Sequence, residues 1–306
     1  MDHRRLGSAG PAVSLLGLGC NNFGGRIDFA ATRAVVHRAL DLGVTLFDTA
    51  DNYGSGGSEE FLGRILGARR KDIILATKFG IVGGASRRHV ERSAEASLKR
   101  LATDYIDLYQ LHRPDPATPI EETLGALDAL VRAGKVRQIG CTYLSGAEFE
   151  ASRQAAAKAC LTTFTTCQNE YSLLSRGIER DLVPAMARHE AGFLPYLPLA
   201  GGLLTGKYRR DLPFPKDARL SGGGWPAGRV LTEANWRIVE RLLPFCAARG
   251  HTILDLAMSW LAQKPFVTSV IAGATKPEQV EANLAALSWS LTQEELAEID
   301  RLTLTP

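Results

Sequence analysis

With 306 residues, 45% of them hydrophobic, the chain can bury a large core and exceeds the roughly 250 residues that an eight-fold (β/α) barrel needs. A net charge of +3, carried by scattered Lys and Arg, leaves no polyelectrolyte footprint for nucleic acid, and no stretch reaches the about 18 uninterrupted apolar residues that cross a membrane. Five cysteines at unpatterned spacings, and an N-terminus (MDHRRLGSAG) with no apolar stretch after its charges, point to a reduced, cytoplasmic protein whose partner is a small molecule.

Near the N-terminus HRRL and AVSL flank GSAG, which reads as a β-hairpin able to plug one end of a barrel. From there on, short β-branched or aromatic runs alternate with stretches of helical periodicity, the pattern of repeated βαβ units and a parallel sheet. Eight strands are expected, at 13–19, 44–50, 72–78, 105–112, 135–142, 163–169, 192–198 and 268–273. Helices are expected near 30–42, 57–67, 87–101, 121–133, 146–158, 178–190, 252–263 and 277–286. Residues 207–231, rich in Gly, Pro and charge, read as a lid after the seventh strand. At the end, SLTQEELAEIDRL has a Thr followed three positions later by Glu, the signature of a capped additional helix. No linker interrupts the pattern, so the expectation is one α/β domain over 1–306, a (β/α)8 TIM barrel with a hairpin cap, a long loop after strand 7 and an extra C-terminal helix.

Four ionisable residues follow these strands: Asp48 and Tyr53 after VTLFD, Lys78 at the end of IILATK, and His112 at the end of YIDLYQLH. Taken singly, each has an ordinary structural explanation. Together they place polar groups where three successive strands stop, which is the rim on which such barrels keep their chemistry. A free tyrosine has a pKa of about 10. An ammonium about 4 Å away favours the phenolate by roughly 4 kcal/mol at an effective dielectric near 20, while desolvation and the Asp48 carboxylate oppose it. The expectation is a net fall of about one to three pKa units at Tyr53, making it a general acid, with His112 hydrogen-bonding the reacting carbonyl oxygen.

The segment LGVTLFDTADNYGSGGSEEFLGRIL, followed by ATKFG and LYQLHRPD, closely resembles the aldo-keto reductase superfamily, in its bacterial and channel-beta-like branches. The likeness runs from HRRLG near the start to ATKPEQVEANL near the end. It implies that Asp48, Tyr53, Lys78 and His112 form that family's catalytic tetrad. The tetrad supplies a proton and no electrons, so a nicotinamide hydride donor is implied, although no G-x-G-x-x-G follows a strand. The resemblance places the cofactor's pyrophosphate in YLPLAGGLLTGKY, where Gly201 and Gly202 let the backbone approach and Lys207 adds charge. It also makes Tyr196 the nicotinamide platform, has Thr142 and Gln168 bind the carboxamide, and adds Leu197, Leu199 and Gly273 to the contacts. SVIAGATKPEQVEANL resembles the adenosine site: Thr275 and Lys276 open a helix, Lys276 meets a ribose 2'-phosphate, and Gln279 and Asn283 share a face toward adenine. Arg219 is a further cofactor contact, and the set favours NADP(H) over NAD(H).

Two departures stand out. Thr142 and Tyr143 occupy positions that are commonly Ser and Asn in the family, and Cys20 and Asn21 follow the first strand in place of Thr or Ser and a bulkier residue, in a pocket that Phe23, Asn52 and Trp225 are expected to line. Strand alternation turns Cys141 and Cys167 toward the helices, and with neither C-x-x-C nor H-E-x-x-H present no metal site is expected. The reading is reduction of an aldehyde or ketone by NADP(H). Its alternatives are an alcohol, sugar or pyridoxine-type dehydrogenase working at the same site, a nucleotide-sensing channel-beta-like subunit, and an aldolase using Lys78 as a Schiff base.

Overall fold

The computed structural model describes residues 1–216 and 218–304; Asp217, inside the expected lid, lies outside the described residues. The chain opens with the antiparallel pair β1 (His3–Arg5) and β2 (Ala12–Ser14), in register His3 to Ser14. The run expected as one strand over 13–19 is divided: Ser14 ends the hairpin and β3 (Leu16–Gly19) begins the barrel.

Strands and helices then alternate as β3, α1 (Phe29–Asp41), β4 (Leu46–Asp48), α2 (Gly57–Leu66), β5 (Ile74–Phe79), α3 (Arg87–Leu101) and β6 (Ile106–Leu111). They continue as α4 (Ile120–Arg132), β7 (Val136–Thr142), α5 (Gly146–Lys158), β8 (Thr166–Gln168), α6 (Leu182–Arg188) and β9 (Gly192–Phe193). After β9 come α7 (Ala227–Val230), α8 (Glu233–Ala247), α9 (Ile253–Ala262), β10 (Val270–Gly273), α10 (Pro277–Ala285) and α11 (Gln293–Thr303). The eight strands from β3 to β10 form one parallel sheet in which β10 pairs with β3. The last two strands close the cylinder through Thr268 N–H to Phe193 O at 2.8 Å and Ile271 N–H to Pro195 O at 3.1 Å. The fold is the (β/α) eight-fold barrel, and its helices begin on local signals: Ser145 with Glu148, Thr252 with Asp255 and Thr292 with Glu295 are capping boxes at α5, α9 and α11.

Two elements differ from the expected ones. The seventh strand spans two residues instead of seven because Pro195 and Pro198 have no N–H for a ladder, although Leu194 and Tyr196 still donate to the β8 side at 2.9 and 3.2 Å. The expected helices omit α8, a fifteen-residue helix capped by Thr232, although its buried Trp236, Val239, Leu242, Phe245 and Cys246 recur at helical spacing. Pro244 inside it is a residue that ordinarily ends a helix, and here it leaves that buried face intact.

Side-chain alternation sorts the barrel into two cores. Phe47, Leu75, Phe79, Tyr109, Ile139, Cys141, Cys167 and Phe193 face the helices. Leu46, Ala76, Leu108, Leu194 and Ile271 face inward and meet Leu6 and Val13 of the hairpin, which plugs the N-terminal end. Two residues further along β4, β5 and β6 the inward positions become polar, Asp48, Lys78 and Gln110, and Gln168 of β8 joins them. The apolar plug is therefore the floor on which the polar layer rests. Leu6 is fully buried in that floor, so Leu6→Ala is expected to lower unfolding free energy by about 2–5 kcal/mol in urea titrations with an unchanged slope, whereas a loss below about 1 kcal/mol would mean the hairpin does not plug the barrel.

Candidate active site

Asp48 is the last residue of β4, and the chain turns from it into a short 3-10 segment that carries Tyr53. The turn depends on Gly54 at φ 56°, because a Cβ there would lie 2.6 Å from the Phe23 carbonyl oxygen. Asp51 N–H donates to the Lys78 carbonyl at 3.1 Å, tying this loop to β5. Lys78 rises from β5, and His112 follows β6 with its N–H on the Phe79 carbonyl at 2.7 Å.

The fully buried Lys78 ammonium is the hub of the site. It donates to Asp48 Oδ2 at 2.7 Å, to the Thr49 carbonyl at 2.8 Å and toward the Tyr53 hydroxyl at 3.5 Å. Asp48 is fixed in turn, since Gln110 and Gln168 each donate an amide N–H to Oδ1, at 3.1 and 2.9 Å. The His112 ring stands edge-on to that of Tyr53 with centroids 5.7 Å apart, and Thr142 donates its hydroxyl to the His112 carbonyl. The structure thus brings Asp48, Tyr53, Lys78 and His112 to one rim. It adds Gln110, whose strand parity with His112 was a usable sequence signal.

Burial sets the protonation states. Burial would lower the Lys78 pKa, but Asp48 and Tyr53 outweigh it and hold it above the ordinary lysine value, so the ammonium persists. At Tyr53 burial wins: despite the Lys78 charge, desolvation aided by Asp48 raises the phenol above its usual pKa. This reverses the expected fall, because desolvation outweighs the ammonium, whose field Asp48 offsets in part. His112 is pushed down to about 2 by burial and then by Lys78 and Arg113, so the imidazole is neutral throughout the physiological range. Its Nδ1 is buried without a protein partner.

The residues implied for a cofactor occupy the rim from β7 round to β10. Gln168 spends its amide N–H groups on Asp48 and Gln110, which leaves its oxygen for any other partner. Tyr196 follows β9, and Leu197, Leu199, Gly201 and Gly202 continue into a 3-10 turn, Gly201 at φ 66° and Gly202 at φ 102°. A Cβ on Gly202 would lie 3.2 Å from Lys207 Nζ, so the bare backbone and this ammonium form one surface. Arg219 lies with its Nε buried and unpartnered, its Nη1 3.5 Å from Asn21 Oδ1 and its guanidinium over the Trp225 ring at 5.6 Å. Burial followed by Arg26 lowers the pKa of both Lys207 and Arg219. A bare glycine backbone beside Lys207 and Arg219 fits the phosphates of a dinucleotide.

Further round, Gly273 ends β10, and Lys276 is the exposed N-cap of α10 with Pro277 at its first position. Gln279 is exposed and accepts the Thr275 N–H at 2.7 Å, while Asn283, one turn later on α10, is buried. Asn52 is half-buried near the tetrad and Trp225 is exposed, whereas Cys20 and Phe23 are fully buried. Cys141 and Cys167 do face the helices, their sulfurs 3.7 Å apart. Among the described residues no three His, Cys, Asp or Glu side chains converge, and no helix is long and apolar enough to cross a membrane.

Sequence reasoning also missed a buried polar group behind Tyr53. Glu59 binds Arg100 at 2.7 Å and accepts from Thr77 at 2.5 Å, and Asp51 Oδ1 and the Tyr109 hydroxyl are buried nearby without partners. Burial and then Glu59 raise the Asp51 pKa to about 6.

Residues 15–303 match the model of the Aldo/keto reductase family. A protein named Probable voltage-gated potassium channel subunit beta, from Arabidopsis thaliana, is 35% identical over 300 residues, 94% of this chain and 91% of its own. The L-glyceraldehyde 3-phosphate reductase of Escherichia coli O157:H7 is 35% identical over 321 residues, covering 98% of this chain and 92% of its own. Aldo-keto reductase YhdN of Bacillus subtilis is 33% identical over 316 residues, covering 99% and 93%.

The Asp51 shift makes stability pH-dependent. A carboxyl whose folded pKa, about 6, exceeds its unfolded 3.8 holds its proton harder in the native state, so its contribution is present below 3.8 and lost as pH rises through 6. Asp51→Asn is therefore expected to raise the Tm at about pH 8 and to leave it close to the parent's near pH 4; equal shifts at both would contradict the assignment.

Proposed function

Since the chain belongs to the aldo/keto reductase family, we propose that it reduces an aldehyde or ketone to an alcohol with NADP(H) as the hydride donor. The observation that carries this reading is Lys78 Nζ bound to Asp48 at 2.7 Å and reaching the Tyr53 hydroxyl at 3.5 Å, beside a neutral His112. Gly201, Gly202, Lys207 and Arg219 would hold the cofactor's phosphates, Tyr196 its nicotinamide face, and Lys276 a ribose 2'-phosphate at the start of α10. Bound there, the nicotinamide supplies the hydride that becomes the new C–H bond.

The chain's own residues handle the proton and the charge. Tyr53, kept protonated by burial, donates its proton to the carbonyl oxygen as negative charge develops there. Lys78 then faces a phenolate, an interaction stronger in the transition state than in the ground state, which is the condition for accelerating the step. Asp48 keeps the ammonium charged and in place, and Gln110 and Gln168 prevent Asp48 from turning toward substrate. Neutral His112 presents one N–H to the substrate oxygen without contributing a competing charge. The substrate is a small carbonyl compound, met in the cytoplasm.

Tyr53→Phe is expected to lower kcat at least about 100-fold with NADPH affinity near the parent's, read by steady-state rates and fluorescence titration; equal losses in both would refute the acid role. Lys276→Ala is expected to weaken NADPH far more than NADH, and an unchanged preference would remove the ground for NADP(H). Tight NADPH binding with no turnover of any carbonyl would favour instead the nucleotide-sensing subunit that some relatives' names suggest.

A further inference from the structure

Arg113 follows His112 directly, in the bend after β6, the fourth barrel strand, across the rim from the β9 and β10 loops where Lys207, Arg219 and Lys276 lie. Its guanidinium rests over the ring of Tyr143 at 5.0 Å, and among the described residues it has no acidic partner. Tyr143 is itself held at a cost. Its backbone lies at φ 62°, the left-handed region that bulky residues seldom adopt, secured by its N–H on the Gln168 carbonyl at 3.3 Å. That conformation turns the ring into the site, where it packs against Tyr196 with centroids 5.5 Å apart and is close enough to influence the Tyr53 hydroxyl. The carboxamide common at this position in the family could not support a guanidinium in this way; an aromatic face can, and it fixes the direction in which the fork of donors points.

We propose that Arg113, seated on Tyr143, selects substrates that carry an anionic group, a phosphate ester or a carboxylate, a few atoms from the carbonyl. The inference rests on the reductase reading above. The geometry sets its terms: a carbonyl held between Tyr53 and His112 leaves the next atoms of a short substrate beneath the residue adjacent to His112. An exposed, aromatic-supported guanidinium there offers paired N–H donors to an oxyanion. Among the described residues Arg113 is the exposed cation directly beside His112, near enough for its charge to help lower the His112 pKa.

The test uses the whole protein with NADPH and three aldehydes: glyceraldehyde 3-phosphate, succinic semialdehyde and uncharged glyceraldehyde. The parent is expected to show a kcat/KM at least about tenfold higher for one or both anionic substrates than for glyceraldehyde, declining with added salt. Which anion is preferred identifies the source of the charge. In Arg113→Gln the ratio of charged to neutral kcat/KM is expected to fall at least about tenfold, mainly through KM, and Arg113→Lys should recover part of it. No anionic preference in the parent, or a ratio that survives Arg113→Gln, would overturn the proposal. Reduction of glyceraldehyde by the parent reads the reductase assignment separately, so failure of one is distinguishable from failure of the other.

Discussion

The site is organised around an ammonium that has no access to water. Lys78 is fully buried inside the barrel, and its charge survives because Asp48 lies 2.7 Å away, itself fixed by two glutamine amides. A buried ion pair of this kind stabilises the fold little compared with an apolar pair, but removing one partner leaves an uncompensated charge and typically costs roughly 3–5 kcal/mol. The pair therefore acts as a constraint: every neighbouring group must accommodate a positive charge at one fixed point. Tyr53 is aimed at it, His112 is kept neutral partly by it, and Asp51 N–H is bound to the carbonyl of the same lysine.

The floor beneath this layer explains how the constraint is kept. Leu6 and Val13 of the hairpin close the end of the barrel, so the lysine stem rises through packed hydrocarbon and cannot tilt away. The same alternation of side chains that makes Leu46, Ala76 and Leu108 apolar brings Asp48, Lys78 and Gln110 to the next inward level. Burial of the phenol has its own consequence: Tyr53 remains a protonated acid until charge forms beside it.

Much of this was legible in the amino-acid sequence because barrel geometry is periodic. Strand alternation is enough to put Asp48, Lys78 and His112 at one rim and to turn Cys141 and Cys167 outward. Tyr53 follows the same strand as Asp48, and the glycine-dependent turn that aims it is reported by no periodicity. What could not be read was the balance of opposing terms. Coulomb attraction by an ammonium at 4 Å looks decisive on paper, yet desolvation and the Asp48 countercharge reverse its net effect on Tyr53. Likewise Asn283 proved buried while Gln279 is not, and the strained backbone of Tyr143 appears only in three dimensions. Each of these depends on side-chain environment or on a single dihedral, neither of which has a spacing to detect.

The most direct measurement is a spectrophotometric titration of the Tyr53 phenol, taken as the difference between the parent protein and Tyr53→Phe, without cofactor. The account requires Tyr53 to ionise above the ordinary value of about 10. A phenol that ionises below that value would show that Lys78 outweighs burial and the Asp48 countercharge, and would contradict the electrostatic arrangement on which the proposed chemistry rests.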